Sequence, residues 1–330
     1  MLYRFLKQQI TDMVYTRADD TGAVFYFTAD DFDGLQKFPY PIKSSAGHTL
    51  DGYFYFYPDC RKDRIVIFEH GMGSGHTGYM KEIEHLCSHG YFVFAYDHTG
   101  CMNSGGKDTG GFVQSVIDCN DVINTIQNDP AYSALPVAVI GHSWGGLSTL
   151  NIAALHPEVT HLAALAPPIS APQLIEHMLP PMLSRYAKKF SEEERSKQPQ
   201  YYDLDARTSL TNTDAHLLVI HSDDDPVVAS KYHFSLLRDA LADRPNTEFV
   251  LTHGKAHNPN YTEDAVKYKD AFFAQYKNAM NKKQLVTDEQ KSAFKNSYDW
   301  NRMTMQDDSV WDMIFAHLDK PAVNTFNHAN

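Results

Sequence analysis

Apolar residues recur at helical spacing in the first fifteen positions. Leu2, Phe5, Leu6, Ile10, Met13 and Val14 are separated by Arg4, Lys7 and Gln8, a pattern that predicts an amphipathic helix. Docking on the body of the protein is its simplest use; a membrane-surface helix is the alternative, supported only by Arg4, Lys7 and Arg17. From residue 48 a different rhythm begins. TLDGYFYFYP alternates and reads as hairpin strand. RIVIFEHG, YFVFAYDHTG, PVAVIGHS, HLAALAPP, AHLLVIHSDD and TEFVLTHGKAH are then short apolar runs, each closed by polar or glycine residues. Between them YMKEIEHLCSHG, FVQSVIDCNDVINTIQND, GGLSTLNIAALHP and SKYHFSLLRDAL carry helical periodicity. Apolar strands alternating with amphipathic helices predict βαβ units and a mostly parallel sheet covered on both faces. Ligands gather beyond the carboxyl ends of the strands of such sheets.

Residues 167–213 break the rhythm. They carry Pro167, Pro168, Pro172, Pro180 and Pro181, the cluster Leu174, Ile175, Met178 and Leu179, and SEEER, where Ser191 and Glu194 fit a capping box. The expected organisation is a helical N-terminal extension over 1–45, an α/β core over 46–166 and 214–282, a helical cap insertion over 167–213 and a helical C-terminal extension over 283–330. In the last segment TDEQKSAFKNSYDWNRM and DSVWDMIFAHLDK are helical patterns, with Trp300, Trp311, Met313, Ile314 and Phe315 on an apolar side. Covering the body, pairing with the N-terminal helix and forming a homodimer contact remain open to them. DDFDG at Asp30–Gly34 fails as a calcium loop, because an EF-hand frame ending at Gly34 puts Ala29 and Tyr40 at its first and last ligand positions.

Composition narrows the function. Of 330 residues 43% are hydrophobic, and 29 basic against 41 acidic residues give a formal charge of −12. No clustered cationic footprint for nucleic acid results. Cys60, Cys87, Cys101 and Cys119 form no Cys-x-x-Cys pair, so neither a disulfide framework nor a thiolate metal site is signalled and a cytoplasmic setting is expected. No signal-peptide h-region or membrane-spanning apolar run is present in the sequence. His85 and His89 stand at i and i+4, but without a Glu in the His-Glu-x-x-His position or a third ligand they read as a solvated helix face, and no metal is expected.

The sharpest chemical signal is VIGHSWGG, Val139–Gly146, which sets Ser143 between Gly141 and Gly145 after a strand and before a helix. A serine on that turn is held in strained backbone geometry, and a Cβ at either glycine would crowd it. Free serine is a poor nucleophile, so a base and an orienting acid are required. The Trp144 N–H, at the start of the helix, suits an oxyanion donor. Over about residues 48–280 this chain resembles the α/β-hydrolase family, in which Gly-x-Ser-x-Gly forms a nucleophile elbow and the catalytic triad runs in the order serine, acid, histidine.

The resemblance implies Asp225, in Asp-Pro-Val-Val, as the acid, with Asp223 and Asp224 as neighbours able to substitute. It implies His257, in GKAH, as the base, and leaves His253, His70 and His142 structural. HGMGSG looks like the family's His-Gly-x loop and makes the Met72 N-H the second donor of the oxyanion hole. DHTGCMNSGG departs from the family pattern at Thr99, where arginine is usual, and at Met102, where glycine is usual.

The expected activity is that of a serine hydrolase that forms an acyl-enzyme without a cofactor, of the carboxylesterase or lipase-like kind, acting on small, partly apolar esters. Met178, Leu179, Met182, Leu183 and Tyr186 would form an apolar ceiling for the acyl chain, or simply pack the insertion on the body. A proline-iminopeptidase-like aminopeptidase is the rival, with Glu176 and Glu192–Glu194 as the carboxylates able to hold a substrate amine. A thioesterase and a non-catalytic binding module complete the alternatives. The serine argues against the family's dehalogenases and epoxide hydrolases, which use a carboxylate.

Overall fold

A computed structural model describes residues 1–322. Among the described residues ten strands are formed: β1 (Gln36–Pro39), β2 (Ile42–Lys43), β3 (Thr49–Leu50), β4 (Gly52–Phe56), β5 (Ile65–Glu69), β6 (Phe92–Tyr96), β7 (Val137–His142), β8 (His161–Leu165), β9 (His216–Ser222) and β10 (Thr247–Thr252). Eight of them make one sheet in the order β1-β4-β6-β5-β7-β8-β9-β10, and β2 and β3 form a separate hairpin. From β6 to β10 every pairing is parallel, whereas β1–β4 and β4–β6 are antiparallel. Each apolar run read from the sequence is a strand of this sheet.

The period of two sorts the core. Ile65, Ile67, Val137, Val139, Leu217 and Val219 point into one buried cluster with the helix Gln114–Asn128. Val66, Phe68, Ala138, Ile140, Leu218 and Ile220 point into the other, shared with the helices Met80–Ser88 and Asp308–Leu318. Both faces are thereby covered, which is why these strands read as continuous apolar runs.

Three expectations need correction. The segment 1–45 is not helical throughout: its helix ends at Val14, and Gln36–Pro39 is the edge strand of the sheet. Four residues, all exposed but the half-buried Phe38, are too short a run to show their period, and Phe38 is held instead by stacking on Phe54 at 5.1 Å. Ser191 caps nothing, because one helix runs unbroken over Ser184–Lys197. Its hydroxyl meets that of Tyr202 at 2.8 Å. His85 and His89 are only partly a solvated face: half-buried His85 packs edge-on against Trp311, and exposed His89 lays its ring flat on Phe315 with centroids 3.6 Å apart. Here the apolar side of Asp308–Leu318 closes over the body, with Trp311 fully buried. Residues 323–330 of the expected C-terminal extension lie outside the described residues.

Between β8 and β9 the chain folds into the helices Ala171–Met178, Ser184–Lys197, Pro199–Tyr202 and Ala206–Ser209. The N-terminal helix lies on this segment. Ile10 and Val14 are buried with Phe112, Ile175, Ala187 and Phe190, Lys7 pairs with Glu193 at 2.5 Å, and Tyr15 donates to Glu194. The turn at Asp30–Gly34 is polar, closed by a Thr28–Asp31 capping box.

Candidate active site

Ser143 stands between β7 and the helix Trp144–Asn151 with φ 55° and ψ −115°. That left-handed backbone costs about 1–3 kcal/mol for a residue with a Cβ, and tight surroundings hold it. A Cβ on Gly145 would run into the Glu69 carbonyl, and one on Gly141 into the Gly145 carbonyl. The two glycines therefore let the helix sit against β5 and β7 closely enough to force the turn.

The loops after β7, β9 and β10 meet at this serine. His257 Nε2 lies 2.8 Å from Ser143 Oγ, and His257 Nδ1 lies 2.7 Å from Asp225 Oδ2. The other oxygen of Asp225 accepts the N–H groups of Val227 and Val228 at 2.8 and 2.9 Å. His221 Nε2 is 3.3 Å from Oδ2. Burial alone would raise the Asp225 pKa, but hydrogen bonds from His221 and His257 and the charge of His257 outweigh it and hold the carboxyl well below the usual range.

Its neighbours are engaged elsewhere. Asp223 holds the exposed His253 at 2.6 Å, and Asp224 accepts from Ser222 Oγ and the Ala256 N–H at 2.5 and 3.0 Å, bracing the loop that carries His257. Neither the Met72 nor the Trp144 N–H enters a turn or loop hydrogen bond among the described residues. The Met72 side chain touches the apolar cluster of the inserted helices, to which Leu174, Met178 and Leu179 also belong. The remaining expected lining residues are not drawn together. Met182 is 86% exposed, Leu183 is half-buried, and Tyr186 stacks on Tyr3 of the N-terminal helix at 5.9 Å.

Beneath the turn lies a buried layer of ionisable groups. His98 sits between Glu69 at 3.5 Å and Asp118 at 3.4 Å, all three without exposure. Tyr96 and Ser148 donate to Glu69, and the Thr99 N–H and hydroxyl donate to Asp118. Burial lowers the His98 pKa, yet the two carboxylates reverse the sign and raise it. The departure at Thr99 thus has a use, since its short hydroxyl caps Asp118. His70 is buried as expected, accepting the His98 N–H at 2.9 Å.

Sequence reasoning missed Tyr79 and His221, and treated His142 only as a residue that shapes its loop. All three touch the assembled loops, and no local pattern around Tyr79 announces it. Among the described residues no group of three or more His, Cys, Asp or Glu side chains is arranged to hold a metal ion, and no helix is long and apolar enough to cross a membrane.

The strand order, the parallel run and the serine at the strand-to-helix turn give the chain the α/β-hydrolase fold. Residues 61–212 match the family described as "Serine aminopeptidase, S33". Over 152 residues the chain is 26% identical to the uncharacterized protein YqkD of Bacillus subtilis, covering 46% of this chain and 48% of that one. It is 32% identical over 106 residues to the monoglyceride lipase of Mus musculus, covering 31% and 34%. The chain thus spans about half the length of the first relative and a third of the second. Among solved structures it resembles the Pyrococcus furiosus esterase Pf2001, with a TM-score of 0.58 at 21% identity over 82% of this chain and 96% of that one.

Proposed function

We propose that the protein is a serine hydrolase that cleaves carboxylic esters through an acyl-enzyme. The observation that carries this reading is the unbroken series of hydrogen bonds from Ser143 through His257 to Asp225. Ser143 Oγ attacks the acyl carbonyl while His257 Nε2 takes its proton and passes it to the leaving alcohol. Asp225, held ionised by its N–H donors and by His221, stabilises the imidazolium and fixes its ring. The oxyanion is met by the N–H groups of Met72 and Trp144, each donor worth roughly 100- to 1,000-fold in turnover. Water, activated by the same histidine, then releases the acid.

An ester suits the inserted helices better than a peptide with a free amine. Of the carboxylates that would grip such an amine, Glu193 is paired with Lys7 and Glu194 with Lys197 and Tyr15, while Glu176 and Glu192 face solvent. The contact of Met72 with the cluster of Leu174, Met178 and Leu179 supports an apolar acyl side. The names of the mouse lipase and the archaeal esterase agree with this choice. All four cysteines are free thiols, three of them buried, which suits the reducing compartment expected for this protein.

A fluorophosphonate probe is expected to label the protein and not its Ser143→Ala variant. Esters of p-nitrophenol with graded acyl chains should be turned over in preference to aminoacyl amides. Absence of label on folded protein refutes the serine mechanism, and a preference for amides bearing a free amine refutes the ester assignment.

A further inference from the structure

We propose that Tyr79 and His142 are positioning residues, a clamp that locks the loop bearing His257 to the nucleophile turn and to the loop after β5. The proposal rests on the serine-hydrolase reading above. Ser143, His257 and Met72 stand on three loops with no covalent link between them near the site, so something must set their relative positions to within a fraction of an ångström.

His142, the last residue of β7, reaches two of those loops. Its Nε2 lies 2.6 Å from the main-chain carbonyl of His257 and its Nδ1 lies 2.9 Å from the Tyr79 hydroxyl. Tyr79 ends the short helical turn His76–Tyr79 that comes after the β5 loop, and its hydroxyl is close enough to Gly71 that a Cβ there would come within 2.5 Å of it.

The direction of every bond is forced. A carbonyl can only accept, so His142 Nε2 carries the proton. A neutral ring then has Nδ1 as its acceptor, and Tyr79 must donate. Burial, with the charge of His257 adding to it, keeps the His142 pKa far below its ordinary value, so the ring stays neutral. Tyr79 therefore selects the tautomer. The other tautomer would set a lone pair against the His257 carbonyl and drive that loop away from Ser143. Neutrality has a further use, since the two rings lie 4.8 Å apart and a cationic His142 would oppose the imidazolium that forms on His257. The arrangement supports a reacting residue through its backbone carbonyl, leaving both of its ring nitrogens free for Ser143 and Asp225.

The test compares wild type with Tyr79→Phe, His142→Leu and His142→Gln, using p-nitrophenyl ester hydrolysis, fluorophosphonate labelling rates, thermal melting and 15N spectra of the histidine rings. Misplacement on this scale costs up to about 100-fold. Y79F is therefore expected to lose roughly 10- to 100-fold in kcat and in labelling rate, with KM within about twofold, and its spectrum should show a mixture of His142 tautomers where wild type shows the Nε2–H form alone. H142Q, which keeps an N–H donor, should recover part of the activity that H142L loses. Y79F added to H142L should cost nothing more, because Tyr79 acts through His142. Y79F with wild-type kcat and labelling, or with a loss confined to KM or melting temperature, overturns the clamp. If the His142 variants do not fold, Y79F and the ring spectra still decide it. Wild-type protein that takes no label refutes the serine-hydrolase reading, whereas label taken equally by wild type and Y79F refutes the clamp alone.

Discussion

At the scale of single residues, this protein surrounds a strained serine with groups whose positions leave little freedom. Gly145 is one such group, since any side chain there meets the Glu69 carbonyl. Gly145→Ala is expected to push the helix Trp144–Asn151 off β5 and abolish fluorophosphonate labelling; labelling at the wild-type rate would mean that the turn tolerates the shift. His98 is the other. Burial lowers its pKa, but Asp118 and Glu69 raise it, while burial raises that of Glu69; removing one partner of a buried ionised group costs about 3–5 kcal/mol because the charges left behind stay unpaired. His98→Leu should lose stability of that order in urea denaturation at pH 7. A loss below about 1 kcal/mol would imply that the layer is not ionised, since partner loss then uncovers no charge.

Among elements, the N-terminal helix joins the inserted helices rather than the sheet. Val14 has no exposure, and the Thr109 hydroxyl donates to its carbonyl. On the opposite face Phe5 is 60% exposed. Val14→Asp should release the helix, lower the melting temperature and open residues 1–15 to limited proteolysis, while Phe5→Ser should do neither. Equal behaviour of the two variants would show that the helix contributes nothing to the fold. The sequence showed the helix and its apolar residues, but not which part of the stripe is buried. Leu2, Phe5 and Met13 are exposed while Ile10 and Val14 are covered, and that choice belongs to the partner surface.

Over the whole molecule, the end of the sheet away from Ser143 is closed by histidines. His161 and His216 stack at 4.9 Å, His317 meets them edge-on, and His161 and His216 bond the Lys320 and Pro321 carbonyls at 3.0 and 3.1 Å. Burial lowers all three, His161 to about 3 and His317 to about 2, aided by Arg64 and His216 at His161 and by His161 and Lys320 at His317. A group whose pKa is lower folded than unfolded gives stability that is fully present above the unfolded value, near 6.5, and is lost as pH falls toward the folded one. His98 has the opposite sign, its contribution being lost as pH rises. His70, His85, His142 and His233 are lowered by burial as well, so the lowered histidines outnumber His98; the melting temperature should be lower at pH 5.0 than at pH 7.5, and His317→Leu should narrow the difference. A higher melting temperature at pH 5.0 would mean that these histidines carry protons in the folded state.

Strand and helix periods are local properties of the chain, so the parallel sheet, its covering helices and the serine between two glycines could all be read before any coordinates. Asp225 and His257 are implied by the resemblance to the α/β-hydrolase family, and both fall just past strand ends, where chemistry collects in such sheets. Other features are long-range. Asp223, Asp224 and Asp225 are equivalent as neighbours in sequence, and only the path of the loop after β9 turns one of them to His257 while its neighbours brace the loop or face solvent. The same holds for Tyr79, which lies 63 residues from its partner His142, and for the aromatic side of Asp308–Leu318, which three different surfaces could have covered. Contacts between segments far apart in the chain leave no period behind. They arise when a close-packed interior admits one arrangement of those segments and excludes the rest.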